Sequence, residues 1–182
     1  QERLSGNSRE LFRQRIRHQH LTSRELRSFS SVKAPEFLVD AVDLDFCIVA
    51  MPYTLLDQET LDEEFPMCEE RNVNIVIGSV FASGILVSGP VEGARYAYDD
   101  ASPEIMEKTR CIQEVCQRHD VPLPAAAMQF PLGHPLVSAI IPGAMEPGHI
   151  QTNIGWFQHQ IPADLWTELK AEGLLREDAP TP

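Results

Sequence analysis

Three short runs of this sequence, residues 44–50 (LDFCIVA), 73–77 (VNIVI) and 137–141 (VSAII), are apolar almost without interruption. A strand with one face in water alternates apolar and polar residues. A strand of a parallel sheet, covered on both faces, reads instead as a continuous apolar run. The stretches between the runs have helical spacing, and strand, helix, strand, helix, strand predicts parallel pairing through crossover helices. A closed eight-stranded parallel barrel takes about 250 residues. This chain has 182, and three such strands do not close a barrel. An open set of strands of this kind exposes an edge and leaves its inner face uncovered. The sequence therefore predicts a missing complement: another copy, another polypeptide, or an amino-terminal half.

The helices carry their own signals. Residues 57–71 place Leu61, Phe65 and Cys68 on one side, but Pro66 falls inside, and a proline within a helix costs about 3 kcal/mol, so a kink or two short helices are expected. Ser102-Pro103-Glu104 opens the clearest helix, with a capping serine, proline at the first helical position and an acid at the positive end of the dipole. Ile105, Thr109, Ile112 and Cys116 line one face of it as far as His119-Asp120, where His119 reads as a helix end. Shorter helices are expected over residues 124–130, 147–157 and 162–172, and residues 176–182 read as a disordered tail. His134 reads as a turn residue, and Asp99-Asp100 as a solvated loop rather than a carboxylate pair.

At 43% hydrophobic residues the chain has apolar surface enough for a core, so it is not disordered throughout. It holds no run of 18 apolar residues that would cross a membrane and no charged segment leading into an apolar signal core. It begins at Gln1 rather than methionine, which points to a start lost or processed. Cys47, Cys68, Cys111 and Cys116 stand singly, without Cys-x-x-C spacing or a neighbouring histidine, and read as reduced thiols of a cytoplasmic protein. The net charge of −12 is divided unevenly: residues 1–33 hold eight of the fifteen Lys and Arg against Glu2, Glu10 and Glu25. A helix over residues 8–21, capped by Ser8 with Leu11, Phe12 and Ile16 on one face, fits the start of this basic arm. Such an arm suits nucleic acid or an anionic surface, or else is a solvated segment that packs on the acidic body. Phe12 and Phe29 stand alone, without the aromatic interleaving that base stacking needs, so nucleic acid is not expected.

In a parallel barrel, ligands bind where loops leave the carboxyl ends of the strands. Three segments occupy that position. Residues 78–86 (GSVFASGIL) repeat small residues, which lets backbone N–H groups approach a phosphate. The segment resembles the Ser-Pro-Leu-(Gly/Ala)-x-Gly-x-Leu pyrophosphate loop of aldo/keto reductases. Residues 51–56 (MPYTLL) are similar to that family's Tyr-(Asn/Ser)-Leu-Leu segment, and residues 141–153 (IPGAMEPGHIQTN) to its adenosine-binding turn and helix start. The resemblance covers residues 36–175 and implies a partial (β/α)8 TIM barrel, only the second half, about its last three strands with their helices. Met128-Gln129-Phe130-Pro131-Leu132, Cys68-Glu69-Glu70-Arg71 and residues 169–175 (LKAEGLL) fit the L-fucose or D-threo-aldose 1-dehydrogenase branch.

The resemblance implies an NAD(P)-dependent oxidoreductase acting on a sugar or other carbonyl substrate. By it, Tyr53 stacks on the nicotinamide, the alternative being a tyrosine that plugs the barrel mouth. Ser79, Phe81, Ser83, Gly84 and Leu86 belong to the pyrophosphate loop, and Gly143, His149, Thr152 and Asn153 to the adenosine end. Ala50 stands where the family often has a carboxamide-binding glutamine. Gly143 and His149 stand where many members have lysine and arginine, and Thr152 where glutamate or glutamine is usual. Two lost cations remove charge-assisted bonds to a 2′-phosphate, so the cofactor reading leans toward NAD over NADP. The family's catalytic tyrosine, lysine, aspartate and histidine come from the other half of the barrel. Tyr53, Tyr96 and Tyr98 all lie in or after the first matched strand, while Lys33, His18 and His20 fall in residues 1–35, outside the resemblance. No catalytic residue and no metal ligand is assigned. The competing reading is a non-catalytic half-barrel that binds or assembles, with self-association through its open face.

Overall fold

The computed structural model describes residues 45–182, and residues 46–182 form one compact unit. The basic arm, with its expected helix over residues 8–21, lies outside the described residues. Strands β1 (Phe46–Ala50), β2 (Asn74–Gly78) and β5 (Val137–Ile141) form a parallel sheet in the order β1-β2-β5. Helices α1 (Glu64–Glu70), α2 (Ile85–Ser88), α3 (Pro103–Arg118) and α4 (Leu123–Gln129) lie between them, and α5 (Pro147–Gln158) and α6 (Ala163–Ala171) follow. A short hairpin, β3 (Arg95–Tyr96) and β4 (Asp99–Asp100), stands apart from the sheet.

Pro66 is accommodated as its backbone chemistry requires. The expected long helix is split into a turn of 3-10 helix at Glu59–Leu61 and the short α1, with Pro66 in the first turn of α1, where no intrahelical N–H bond is due. Ser102 caps α3 by accepting from the Ile105 N–H at 3.3 Å, and Thr109, Ile112, Val115 and Cys116 are its buried stripe. At the other end of α3, Arg118 and His119 hold Glu168 of α6 at 2.6 and 2.5 Å.

The strands are not covered on both faces. Register pairs Cys47 with Ile75 and Val49 with Ile77, and this side, with Val137 and Ile140, faces the helices. The opposite side carries Phe46, Ile48, Val76, Ala139 and Ile141. There Phe46 is 56% exposed, Ile48 60% and Ile141 52%. Among the described residues β1 and β5 each pair along one edge only. The strands are therefore built for burial on both faces, and one face is open. A slip in register between Ile75 and Val76 leaves Ser138 out of the pairing, and its hydroxyl donates to the Ile75 carbonyl at 3.2 Å.

Residues 176–182 are not a disordered tail. Ala179 is fully buried, and Arg176 donates to Asp62 at 2.7 Å and to Asp178 at 2.8 Å. The Arg176 N–H reaches Gln58 Oε1 at 3.3 Å, while Gln58 Nε2 donates to the Thr54 carbonyl at 2.7 Å. The tail lies so close to Gly133 that a Cβ there would come within 2.5 Å of the Thr181 backbone. Composition alone hides this, because Asp62 and Gln58, which hold Arg176, lie more than a hundred residues away in sequence.

Candidate functional site

Cα partners Ala50, Gly78 and Ile141 end the three strands side by side, which brings the loops that begin at Met51, Ser79 and Pro142 to one edge of the sheet. Met51 (φ 79°) and Ser79 (φ 55°) turn sharply out of their strands in the left-handed region. The turn continues through Ala82 (φ 48°), Ser83 (φ 60°) and Gly84 (φ 104°), after which α2 begins. Only glycine adopts this region at little cost, so the loop is held by its contacts. The Ala82 N–H donates to the Ser79 carbonyl at 2.8 Å, and the N–H groups of Gly84 and Leu86 both donate to the Phe81 carbonyl.

The sequence-predicted residues of this loop divide into two groups. Ser79, Ser83 and Gly84 are half-buried at its surface. Phe81 and Leu86 point inward: Leu86 is fully buried, and Phe81 packs edge-on against Trp156 of α5 with ring centres 5.8 Å apart. Leu86 anchors the loop and presents neither its side chain nor its N–H to a ligand. The Phe81–Trp156 contact ties the second loop to α5, the helix that follows the third.

In the third loop, Asn153 is buried and its Nδ2 donates to the Gly143 carbonyl at 3.2 Å. The Met145 N–H donates to His149 Nδ1 at 3.2 Å. Two side chains of α5 thus fold residues 143–145 back onto the start of their own helix, leaving Asn153 Oδ1 as an acceptor and His149 Nε2 as a donor. Thr152 Oγ1 donates to the Gly148 carbonyl at 3.2 Å, one turn back. Gly143 is exposed, with nothing within 4 Å of a Cβ built on it. Beside Asn153 lies an apolar groove of about 250 Å³ lined by Met128, Ile140, Pro142, Ile150, Ile154 and Phe157.

Tyr53 does not join these loops. It is 0% exposed, with its ring centre 4.7 Å from Phe65, 5.2 Å from Phe130 and 5.8 Å from His134. No face of its ring is free to hold a nicotinamide, which counts against the stacking role that the resemblance implies. The strand-end motif reads the same for either role, since an aromatic ring serves a core and a ligand equally. Its hydroxyl is the one buried side-chain polar atom without a hydrogen-bond partner among the described residues, and burial, with Asp178 nearby, pushes its acidity well below that of a free phenol.

Sequence reasoning missed a cluster of Tyr96, Asp57 and Lys108. Tyr96 Oη donates to Asp57 Oδ2 at 3.4 Å, and Lys108 Nζ donates to the Leu56 carbonyl at 3.1 Å. The residue types match those of an acid–base center, but the electrostatics run the other way. Burial and the Asp57 carboxylate push the Tyr96 phenol up to about 12, and burial pushes Lys108 down. A tyrosine whose proton is held by a carboxylate is a poor acid at neutral pH, and the cluster latches the first loop to α3. No group of three or more potential metal ligands occurs among the described residues, and no helix there is long and apolar enough to cross a membrane.

The aldo/keto reductase family pattern matches residues 16–172. The chain belongs to the aldo/keto reductase family. The match opens at residue 16, inside the stretch 1–35 that sequence reading left outside the resemblance. A pyridoxal 4-dehydrogenase from Microbacterium luteolum is 41% identical over 137 residues, covering 75% of this chain and 40% of the relative. A D-threo-aldose 1-dehydrogenase from a Pseudomonas species is 41% identical over 145 residues, covering 79% of this chain and 43% of the relative. This aldo/keto reductase chain therefore spans about two fifths of the length of the curated relatives it matches. Among solved structures, a glycerol dehydrogenase from Gluconobacter oxydans superposes with a TM-score of 0.55 at 14% identity, over 74% of this chain and 44% of the other. A holo aldo-keto reductase from Bacillus halodurans superposes with a TM-score of 0.52 at 24% identity, over 68% and 41%. These two establish the fold: part of a parallel α/β barrel.

Proposed function

We propose that this chain is the cofactor-holding part of an NAD(P)-dependent aldo/keto reductase of the aldose-dehydrogenase kind, inactive unless the remaining strands complete the barrel. The observation that carries the reading is the convergence of the second and third loops at adjacent strand ends, with Phe81 of the second packed on Trp156 of α5, the helix that follows the third. When bound, the nicotinamide supplies the hydride chemistry. The chain's part is to bind and orient. Ser79, Ser83 and Gly84 form a small-residue surface for the pyrophosphate. Asn153 Oδ1, beside an apolar groove, suits the amino group and flat ring of adenine, and Gly143, His149 and Thr152 line the ribose end. The substrate is an aldose or a related carbonyl compound, a class supported by the aldose and pyridoxal dehydrogenases among the relatives.

The cofactor preference follows from charge. No lysine or arginine occurs in residues 141–153, so a 2′-phosphate would meet no permanent cation from this segment. Gly143 has open space around it and no positive φ, so a lysine fits there without strain. Titration with each nicotinamide, followed by tryptophan fluorescence through Trp156, is expected to show NAD⁺ bound as tightly as NADP⁺ or more so. The pair Gly143→Lys and His149→Arg should then favor NADP⁺ by about 10- to 100-fold, the worth of one charge-assisted hydrogen bond. No binding of either nucleotide would remove the cofactor reading.

The exposed Phe46, Ile48 and Ile141 favor a second reading, in which the open sheet face assembles with another copy. Sedimentation is expected to show concentration-dependent association of the purified chain together with binding of a hydrophobic dye. A compact monomer that binds no dye would count against an open face.

A further inference from the structure

The β3–β4 hairpin plays no part in the site as described, yet it is tied to both of the first two loops. Tyr96 Oη donates to Asp57 Oδ2 in the loop after β1, and the Tyr98 N–H donates to Ser83 Oγ at 3.1 Å in the loop after β2. The Arg95 guanidinium donates to the Tyr98 carbonyl. Both central residues of the turn, Ala97 (φ 50°) and Tyr98 (φ 68°), are left-handed, the arrangement of a two-residue turn that normally uses asparagine or glycine. Neither is present. A turn that keeps two non-glycine residues in this region is over-determined by its surroundings, and strain of this kind gathers at ligand clamps.

The chemistry of the tie says what is clamped. A serine hydroxyl has one proton to give and two lone pairs to receive. With the Tyr98 N–H pointing into a lone pair of Ser83 Oγ, the Ser83 proton is turned away from the hairpin and is free to donate. A phosphate oxygen only accepts, so a serine that contacts it must be held as a donor. We infer that Tyr98 is a positioning residue: its backbone N–H holds the Ser83 hydroxyl as a hydrogen-bond donor toward an anion in the loop after β2. This rests on the reading of that loop as the pyrophosphate site.

The test is a double-mutant cycle on NAD⁺ affinity, read by tryptophan fluorescence, with amide exchange at Tyr98 followed in parallel. Ser83→Ala removes the hydroxyl, and Arg95→Ala releases the turn that aims the Tyr98 N–H at it. Each is expected to weaken NAD⁺ binding about tenfold, and the double variant to be no weaker than either alone, because one hydrogen bond is lost in all three. Exchange at the Tyr98 amide should quicken in Ser83→Ala before any nucleotide is added. If Arg95→Ala does not fold, the Tyr98 exchange rate in Ser83→Ala decides the proposal. Costs that multiply to about a hundredfold would overturn the clamp while leaving the cofactor site standing. So would a turn variant with unchanged affinity, or an unchanged Tyr98 exchange rate in Ser83→Ala. Failure of the unmodified protein to bind NAD⁺ would overturn the cofactor reading and the clamp with it.

Discussion

No measurable NADH should form when the purified chain is mixed with NAD⁺ and L-fucose or related aldoses. Hydride transfer from a sugar hydroxyl requires a proton acceptor within about 3 Å of that oxygen. Each described tyrosine is unsuited to the task. Tyr53 is fully buried, the Tyr96 proton is held by Asp57 with its pKa pushed up to about 12, and Tyr98 is exposed at the hairpin turn. Acid–base assistance is worth about 10² to 10⁴ in rate, and loss of substrate positioning costs more. Spectrophotometry at 340 nm, the absorbance of the reduced nicotinamide, makes the check. Robust turnover that is lost in Tyr96→Phe would show that the Tyr96, Asp57 and Lys108 cluster is an active center after all.

The second large effect concerns Tyr53. Truncating a large buried aromatic side chain typically costs about 3–5 kcal/mol, and Tyr53 contacts both Phe65 and Phe130, which are themselves almost wholly buried. Tyr53→Ala is therefore expected to lower unfolding stability by that amount. Tyr53→Phe should do the reverse. A buried hydroxyl without a partner carries a desolvation cost of about 1–3 kcal/mol, and replacing it with hydrogen keeps the ring in place, so the melting temperature should rise by about 2–12 °C. Urea unfolding and thermal denaturation of both variants measure this. A Tyr53→Phe variant with unchanged stability and abolished nucleotide binding would return the residue to the cofactor site.

The strand positions, the cap of α3 and the split around Pro66 were legible in the sequence, because each depends on residues a few positions apart, and parallel pairing followed from the alternation of strand and helix. Continuous apolar runs, a capping serine before a proline and a proline inside a helical pattern act through local backbone geometry. The partial barrel was legible through the family resemblance, while chain length and strand count said only that the sheet cannot close. The divided roles in the loop after β2 were not legible. Ser79 and Ser83 reach its surface while Phe81 and Leu86 anchor it, and only packing against α5 separates them. Tyr53 is the sharpest case, since its position after a strand end fits a ligand contact and a core plug alike, and the choice was made by Phe65, Phe130 and His134. The hairpin at residues 95–100 carries no turn signal, because Ala97 and Tyr98 disfavor the backbone they adopt and are held there by Ser83 and Arg95 from outside the turn itself. The packed tail depends in the same way on Asp62, Gln58 and Gly133. Sequence by itself determined what each segment prefers locally, and tertiary structure decided every case in which a distant partner outweighed that preference or selected between two equal ones.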